Sequence, residues 1–293
     1  MKRVRKLTSR GPRTVHQAPL AALLARIDGI AEGKPPADTI ATGFPSLDRM
    51  LGGGLRRGDL ALLGGDVGSG KSALALAIAL RTAPRAHVLV LSSEMLPERL
   101  LERVLAIEGR VRVDDLRQGT LDEMARASVG AAAVRLRDTL PRLARLPAVA
   151  AAIPDAWTAA NAPAPDLLVI DAVQGLGAGT RDVAEEQAAA LRALKTLALD
   201  AGIAILATSQ LPQLQARTDR RPQLDDFGAL GAAKYHADVV LALYREGMYD
   251  AGRDVEGATE LLVRKNRHGG VGYADLYFYA QWMRFEDMLD PDR

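Results

Sequence analysis

From about Asp38 onward the chain alternates between two textures. Unbroken apolar runs of strand length at Leu60 to Leu63, Val88 to Leu91, Leu167 to Ile170, Ile203 to Ala207 and Val239 to Leu243 are separated by segments with helical spacing. A strand without polar alternation is one covered on both faces, so the pattern predicts an α/β fold: a largely parallel sheet with helices on both sides. Helices are predicted over Ser72 to Arg81, Pro97 to Glu108 and Val183 to Leu199, the last carrying Leu191, Leu194 and Leu197 among alanines. After Thr259 the texture changes. Glu260 to Arg264, Ala274 to Tyr279 and Trp282 to Phe285 read as antiparallel strands, with His268, Gly269, Gly270 and Gly272 supplying the turn of a C-terminal hairpin extension. The stretch from Val111 to Pro165, rich in Ala, Arg and Leu, carries no recognisable chemistry and is predicted to be helical, then loop-like around Pro154 and Pro163.

Two segments precede this domain. Residues 1–16 form a basic tail: Lys2, Arg3, Arg5, Lys6, Arg10 and Arg13 stand among the first thirteen residues without one acid, and Gly11 and Pro12 interrupt any regular pattern, as in a disordered arm. Residues 17–37 read as a linker. Leu20, Leu23, Leu24, Ile27 and Ile30 recur at helical spacing after Pro19, and Gly33, Pro35 and Pro36 end the pattern, giving one amphipathic helix on a tether. Its apolar stripe needs a partner, and the tether lets that partner be another copy of the chain. The remainder, 38–293, is expected to be one domain.

Composition narrows the chemistry. With no cysteine among 293 residues, disulfides, thiolate catalysis and Cys-ligated zinc are excluded, and the four histidines show no metal spacing. A reducing, cytoplasmic setting is expected. The apolar stretch Ala18 to Leu24 is too short for a membrane span or signal core, so no membrane role is expected. A net charge of +2 makes no general trap for nucleic acid, so any such binding must use local clusters. The tail is one; Arg217, Arg220 and Arg221 in the turn-rich run ending at Pro222 are the other.

The strongest local signal is Gly65, Asp66, Val67, Gly68, Ser69, Gly70, Lys71, Ser72, which satisfies G-x-x-x-x-G-K-[ST] between a predicted strand and a predicted helix. Glycines let backbone N–H groups close around phosphate oxygens, Lys71 reaches the terminal phosphates of ATP, and the Ser72 hydroxyl ligates Mg2+. Asp171 ends the buried-type strand Leu167 to Ile170 and is the expected carboxylate on the magnesium side. Glu94 follows the strand Val88 to Leu91 at the edge where open α/β sheets bind ligands, and is the candidate base for the attacking water. Gln210, at the end of the next strand, is placed to hydrogen-bond the terminal phosphate.

These residues carry a family resemblance. The run Thr42, Gly43, Phe44 to Leu47 and Asp48, then Gly52 to Gly54 and the phosphate loop, resembles the start of the RecA-like domains of DnaB-type replicative helicases, and of RadA and KaiC ATPases. Ser93-Glu94-Met95, Ser209-Gln210-Leu211, Asp219 to Pro222, Ala237 to Arg245 and Lys265 to Gly269 resemble later DnaB motifs in order, over about residues 38 to 287. The resemblance implies a hexameric ring with ATP between subunits, Lys265 and Arg267 reaching a neighbour's site, and the loop bearing Arg217, Arg220 and Arg221 lining a channel for single-stranded DNA. Replication or loader proteins are implied partners. The sequence departs from the family pattern at Asp66, Val67, Gly68 and Ser69, where Arg-Pro-Gly-Met is usual, at Ser72 in place of Thr, and at Ala172 and Val173 in place of Tyr-Leu. Of the N-terminal region that meets primase in full-length family members, only the tethered helix of residues 19 to 31 is expected. Two readings remain: a motor that hydrolyses ATP to translocate and unwind, or a RadA- or KaiC-like ATP-dependent DNA-binding or assembly switch that does not unwind.

Overall fold

The computed structural model describes residues 17–33, 36, 38–158, 162–177, 179, 182–211, 214, 217–250 and 256–288; the basic tail lies outside them. The chain divides into two compact units, Met1–Thr39 and Ile40–Arg293. In the first, helix α1 (Gln17–Ala31) exposes every member of its predicted stripe: Leu20, Leu23, Leu24, Ile27 and Ile30. No described helix is long and apolar enough to cross a membrane.

The second unit is built on nine described strands in one sheet. In chain order these are β1 (Leu60–Gly65), β2 (Val88–Ser92), β3 (Arg142–Arg145), β4 (Leu167–Asp171), β5 (Ala204–Gln210), β6 (Val239–Tyr244), β7 (Ala258–Asn266), β8 (Gly272–Tyr279) and β9 (Arg284–Asp287). The spatial order is β9-β8-β7-β6-β1-β5-β4-β2-β3. Neighbours from β6 to β3 run parallel, whereas β6 with β7, β7 with β8 and β8 with β9 are antiparallel. The helices are α2 (Pro45–Met50), α3 (Lys71–Thr82), α4 (Pro97–Gly109), α5 (Val113–Gln118), α6 (Glu123–Leu136), α7 (Asp155–Thr158), α8 (Val183–Ala201) and α9 (Ala232–His236).

The unbroken runs are unbroken because successive residues serve two cores. Ala61, Leu63, Val90, Val169 and Leu206 pack with Leu74 and Ile78 of α3 on one face, and Leu60, Leu62, Leu91, Ile170 and Ile205 pack with Leu191 and Leu194 of α8 on the other. The expected α/β fold is present, with two corrections of detail. The stretch from Val111 contains an unexpected strand: β3 is a half-buried edge, with Arg142 and Arg145 at its ends suiting a strand paired on one side only. The last strand starts at Arg284, because Ala280–Trp282 is a single 3-10 turn and Met283 takes φ 52° to reverse the chain.

The antiparallel strands fold back onto α2 and α3. Asp287, fully buried, accepts Ser46 N–H at 2.7 Å and Ser46 Oγ–H at 2.6 Å, so it caps α2, which has no capping side chain of its own. Arg81 of α3 donates to the carbonyls of Gly43 (2.9 Å) and Phe285 (3.1 Å). Phe285 is 0% exposed and stacks on Phe278 with centroids 4.4 Å apart. Truncation at this position leaves a cavity, so Phe285→Ala is expected to cost about 3 to 5 kcal/mol, read as a lower urea midpoint at unchanged slope. An unchanged midpoint would remove the antiparallel strands from the structural core.

Candidate active site

Four strands of the parallel block deliver the predicted residues to one edge. At the end of β1 the chain enters a loop that only glycine permits at several points: Gly68 and Gly70 have φ of 77° and 103°, and a Cβ on Gly65 would lie 2.6 Å from Ser69 Oγ. Gly70 is the N-cap of α3, which has no side-chain cap, so the first N–H groups of the helix face the loop mouth. The buried Ser69 hydroxyl has no hydrogen-bond partner among the described residues. Lys71 Nζ donates to the Asp66 carbonyl at 2.8 Å. Burial pulls this ammonium below its ordinary range, against the opposing charges of Asp171, Asp66 and Glu94, so an incoming anion would restore it.

At the end of β4, buried Asp171 accepts Ser72 Oγ–H at 2.9 Å and Thr208 Oγ1–H at 2.7 Å on the same oxygen. Beyond β2, the N–H groups of Glu94 (3.3 Å) and Met95 (3.1 Å) donate to Ser92 Oγ, which turns the chain out of the sheet and leaves Glu94 exposed. Gln210, ending β5, donates its N–H to Gln174 Oε1 at 3.3 Å, and Gln174 Nε2 returns to the Gln210 carbonyl at 3.2 Å. Lys71, Ser72, Glu94, Asp171 and Gln210 line a single cleft of about 280 Å³.

Sequence reasoning missed several parts of this cleft. Thr208 stands two residues before Gln210 on β5, so strand alternation could have found it. Arg103 of α4, and Phe278 and Met283 from the antiparallel strands, also line it and carry no local signal.

The remaining predicted residues lie elsewhere. β6 joins the two edges of the sheet: Leu243 pairs with Gly65 at the loop, while Val239 pairs with Asn266, so Lys265 and Arg267 sit at the amino edge, about 13 Å further along at strand rise. Lys265 Nζ donates to the carbonyls of Lys234 (2.6 Å) and Ala237, and burial, followed by the Arg267 charge, lowers its pKa. Arg267 pairs with buried Asp238 at 2.9 Å, and Asp238 also accepts Leu60 N–H at 2.9 Å and Lys195 Nζ at 2.6 Å. The three loop arginines are held internally. Arg217 grips Asp226 with two bonds of 2.9 and 2.8 Å, Arg221 grips Glu260 with two of 2.7 and 2.6 Å, and Arg220 donates to the Tyr249 carbonyl at 3.2 Å.

The mixed sheet, the phosphate loop at its carboxyl edge and the acids gathered around it define a RecA-like P-loop domain. Residues 39–287 match the model of the DnaB-like helicase C-terminal domain, and the chain belongs to that family. It is 30% identical over 262 residues to the replicative DNA helicase DnaB of Geobacillus stearothermophilus, an alignment covering 85% of this chain and 56% of that protein. Its fold is similar to that of a solved helicase-like ATPase domain, with a TM-score of 0.83 at 24% identity, covering 95% of this chain and 100% of that one. It is also similar to a solved DnaB-like replicative helicase described with its interactions with primase, at a TM-score of 0.81 and 24% identity, covering 91% of this chain and 66% of that one.

The geometry separates two substitutions. Lys71→Ala removes the cation beside the terminal phosphates and is expected to abolish ATP turnover, whereas Glu94→Gln keeps nucleotide binding and loses hydrolysis. Phosphate release and fluorescent-nucleotide binding measure the two; near-normal turnover in Glu94→Gln would move the base to another residue.

Proposed function

We propose that the chain is the motor of a DNA helicase, hydrolysing ATP at subunit interfaces of a hexameric ring to move along single-stranded DNA and separate a duplex. The observation that carries this reading is the partition of the predicted residues between the two edges of one sheet. Lys71, Ser72, Glu94, Asp171 and Gln210 share a cleft, and Lys265 and Arg267 lie at the opposite edge, where only another copy of the chain could use them. The donor set suits the ligand. Positive-φ glycines, the unpartnered Ser69 hydroxyl and the open helix terminus suit a polyphosphate, and Ser72 and Asp171 with phosphate oxygens and water suit Mg2+, which favours few protein ligands. In hydrolysis, Glu94 orients water and takes its proton, Lys71 stabilises charge on the transferred phosphoryl group, and Gln210 reports its presence to the loop after β5.

The other calls follow from the ring. The stripe of α1 seats on a neighbouring copy, each fully buried leucine or isoleucine contributing roughly 1.5 to 3 kcal/mol before ordering costs. The loop with Arg217, Arg220 and Arg221 faces the single strand, its arginines exchanging internal acids for phosphates. Replication or loader proteins are the expected partners, in keeping with the primase interactions described for the similar helicase.

Strand displacement on a forked duplex tests the whole reading. Unwinding is expected with ATP and not with AMP-PNP; ATP-dependent DNA binding without displacement would favour a switch instead. Mixing two variants tests the shared site. Arg267→Ala is expected to bind ATP normally and hydrolyse it up to roughly a thousandfold more slowly. Combined with Lys71→Ala it should recover partial ATPase activity, because some mixed interfaces join an intact loop to an intact Arg267. No recovery, with mixed rings visible by native mass spectrometry, would count against Arg267 acting in a neighbour's site.

A further inference from the structure

Asp66, the acid in the phosphate-binding loop, is buried and has both carboxylate oxygens engaged: Oδ1 accepts Val67 N–H at 2.7 Å and Oδ2 accepts the Tyr249 hydroxyl at 3.1 Å. Burial and then the Asp66 charge push the Tyr249 phenol above its ordinary pKa, which keeps it protonated and able to donate. The segment from Arg245 to Tyr249 leans on the same loop at two further points. Arg245 Nη1 reaches the Gly68 carbonyl at 3.4 Å, and the Met248 methyl lies 3.8 Å from the position of a Cβ on Gly68.

Tyr249 is also held from the other direction. Its carbonyl accepts Arg220 Nη1 at 3.2 Å, and the Arg220 guanidinium lies 5.3 Å from its ring centroid. Its ring stacks on Tyr244 at 5.7 Å with 15° between planes, and Arg221 lies 4.8 Å above the Tyr244 ring. One residue therefore touches both the phosphate loop and the arginine segment.

We propose that Tyr249 is a positioning residue that couples the phosphate-binding loop to Arg220 and Arg221, so that a bound nucleotide loosens the arginine segment and frees it for an anionic strand. The coupling rests on the proposed function, since it needs a nucleotide at Lys71. Its physical basis is competition for donors. A polyphosphate draws Lys71 Nζ away from the Asp66 carbonyl and takes the Val67 N–H that Asp66 Oδ1 now holds. The Asp66 carboxylate, left beside new negative charge with fewer donors, leans on the Tyr249 hydroxyl. Tyr249 is drawn toward the loop, and the Arg220 contact to its carbonyl weakens.

Tyr249→Phe keeps the ring, the stack on Tyr244 and the carbonyl, and deletes only the hydroxyl. Hydrogen exchange is measured on the full chain with and without AMP-PNP and magnesium, together with the affinity for a fluorescent oligothymidylate. In the wild type, AMP-PNP should speed exchange across residues 217–226 and tighten oligonucleotide binding by about fivefold or more, the lower end of ordinary coupling between sites. In Tyr249→Phe both responses should vanish, with the melting temperature and AMP-PNP affinity kept. An equal response in Tyr249→Phe, or a wild type that binds AMP-PNP without any response at 217–226, would overturn the coupling and leave the proposed function standing. A wild type that binds no AMP-PNP would sink the proposed function itself, and the coupling with it.

Discussion

Strands that run parallel with both faces buried must all leave the sheet at one edge, and the rest of this molecule depends on that constraint. β1, β2, β4 and β5 are sequence segments far apart, yet each ends beside the others and releases one polar residue there: the phosphate loop, Glu94, Asp171 and Gln210. The helices that cover the faces supply stability, and α3 supplies its N-terminus to the same edge. Reversing direction at β7 has the opposite effect: that strand carries Lys265 and Arg267 away from the cleft, to the amino edge.

How much of this was legible in the sequence depended on how local each determinant is. The phosphate loop is contiguous, and its neighbours Asp171, Glu94 and Gln210 each end an apolar run, so strand polarity alone gathers them. The position of Lys265 and Arg267 depends on the register between β6 and β7, which no spacing within either strand reveals. The arginine loop was read from charge and turn residues, and its pairing was invisible because Glu260 is 39 residues from Arg221. β3 escaped because an edge strand with arginine at both ends has the composition of a surface helix.

The two edges also differ in how they treat charge. At the carboxyl edge Lys71 is surrounded by acids yet directly bonded only to a carbonyl, which leaves its charge available to a ligand. At the amino edge Asp238 collects Leu60 N–H, Lys195 and Arg267 while almost wholly buried, and His268 meets Asp59 at 2.6 Å. Because Lys195 and Leu60 N–H also serve Asp238, Arg267 can depart for another anion without stranding a buried charge.

The bond between Asp287 and Ser46 spans 241 positions of sequence. The first helix of the domain receives its cap from the last described strand, so a chain growing from its amino end must carry α2 uncapped through the synthesis of almost the entire domain. Such long-range closure slows folding, because the intervening loop entropy is lost before the contact forms. The phosphate loop shares this delay, since Phe285 lies two residues before Asp287 and its ring would meet a Cβ on Gly70 at 2.9 Å. A nascent chain therefore acquires the backing of its nucleotide site only at the end of domain folding, which leaves a half-made chain little means to hold a nucleotide.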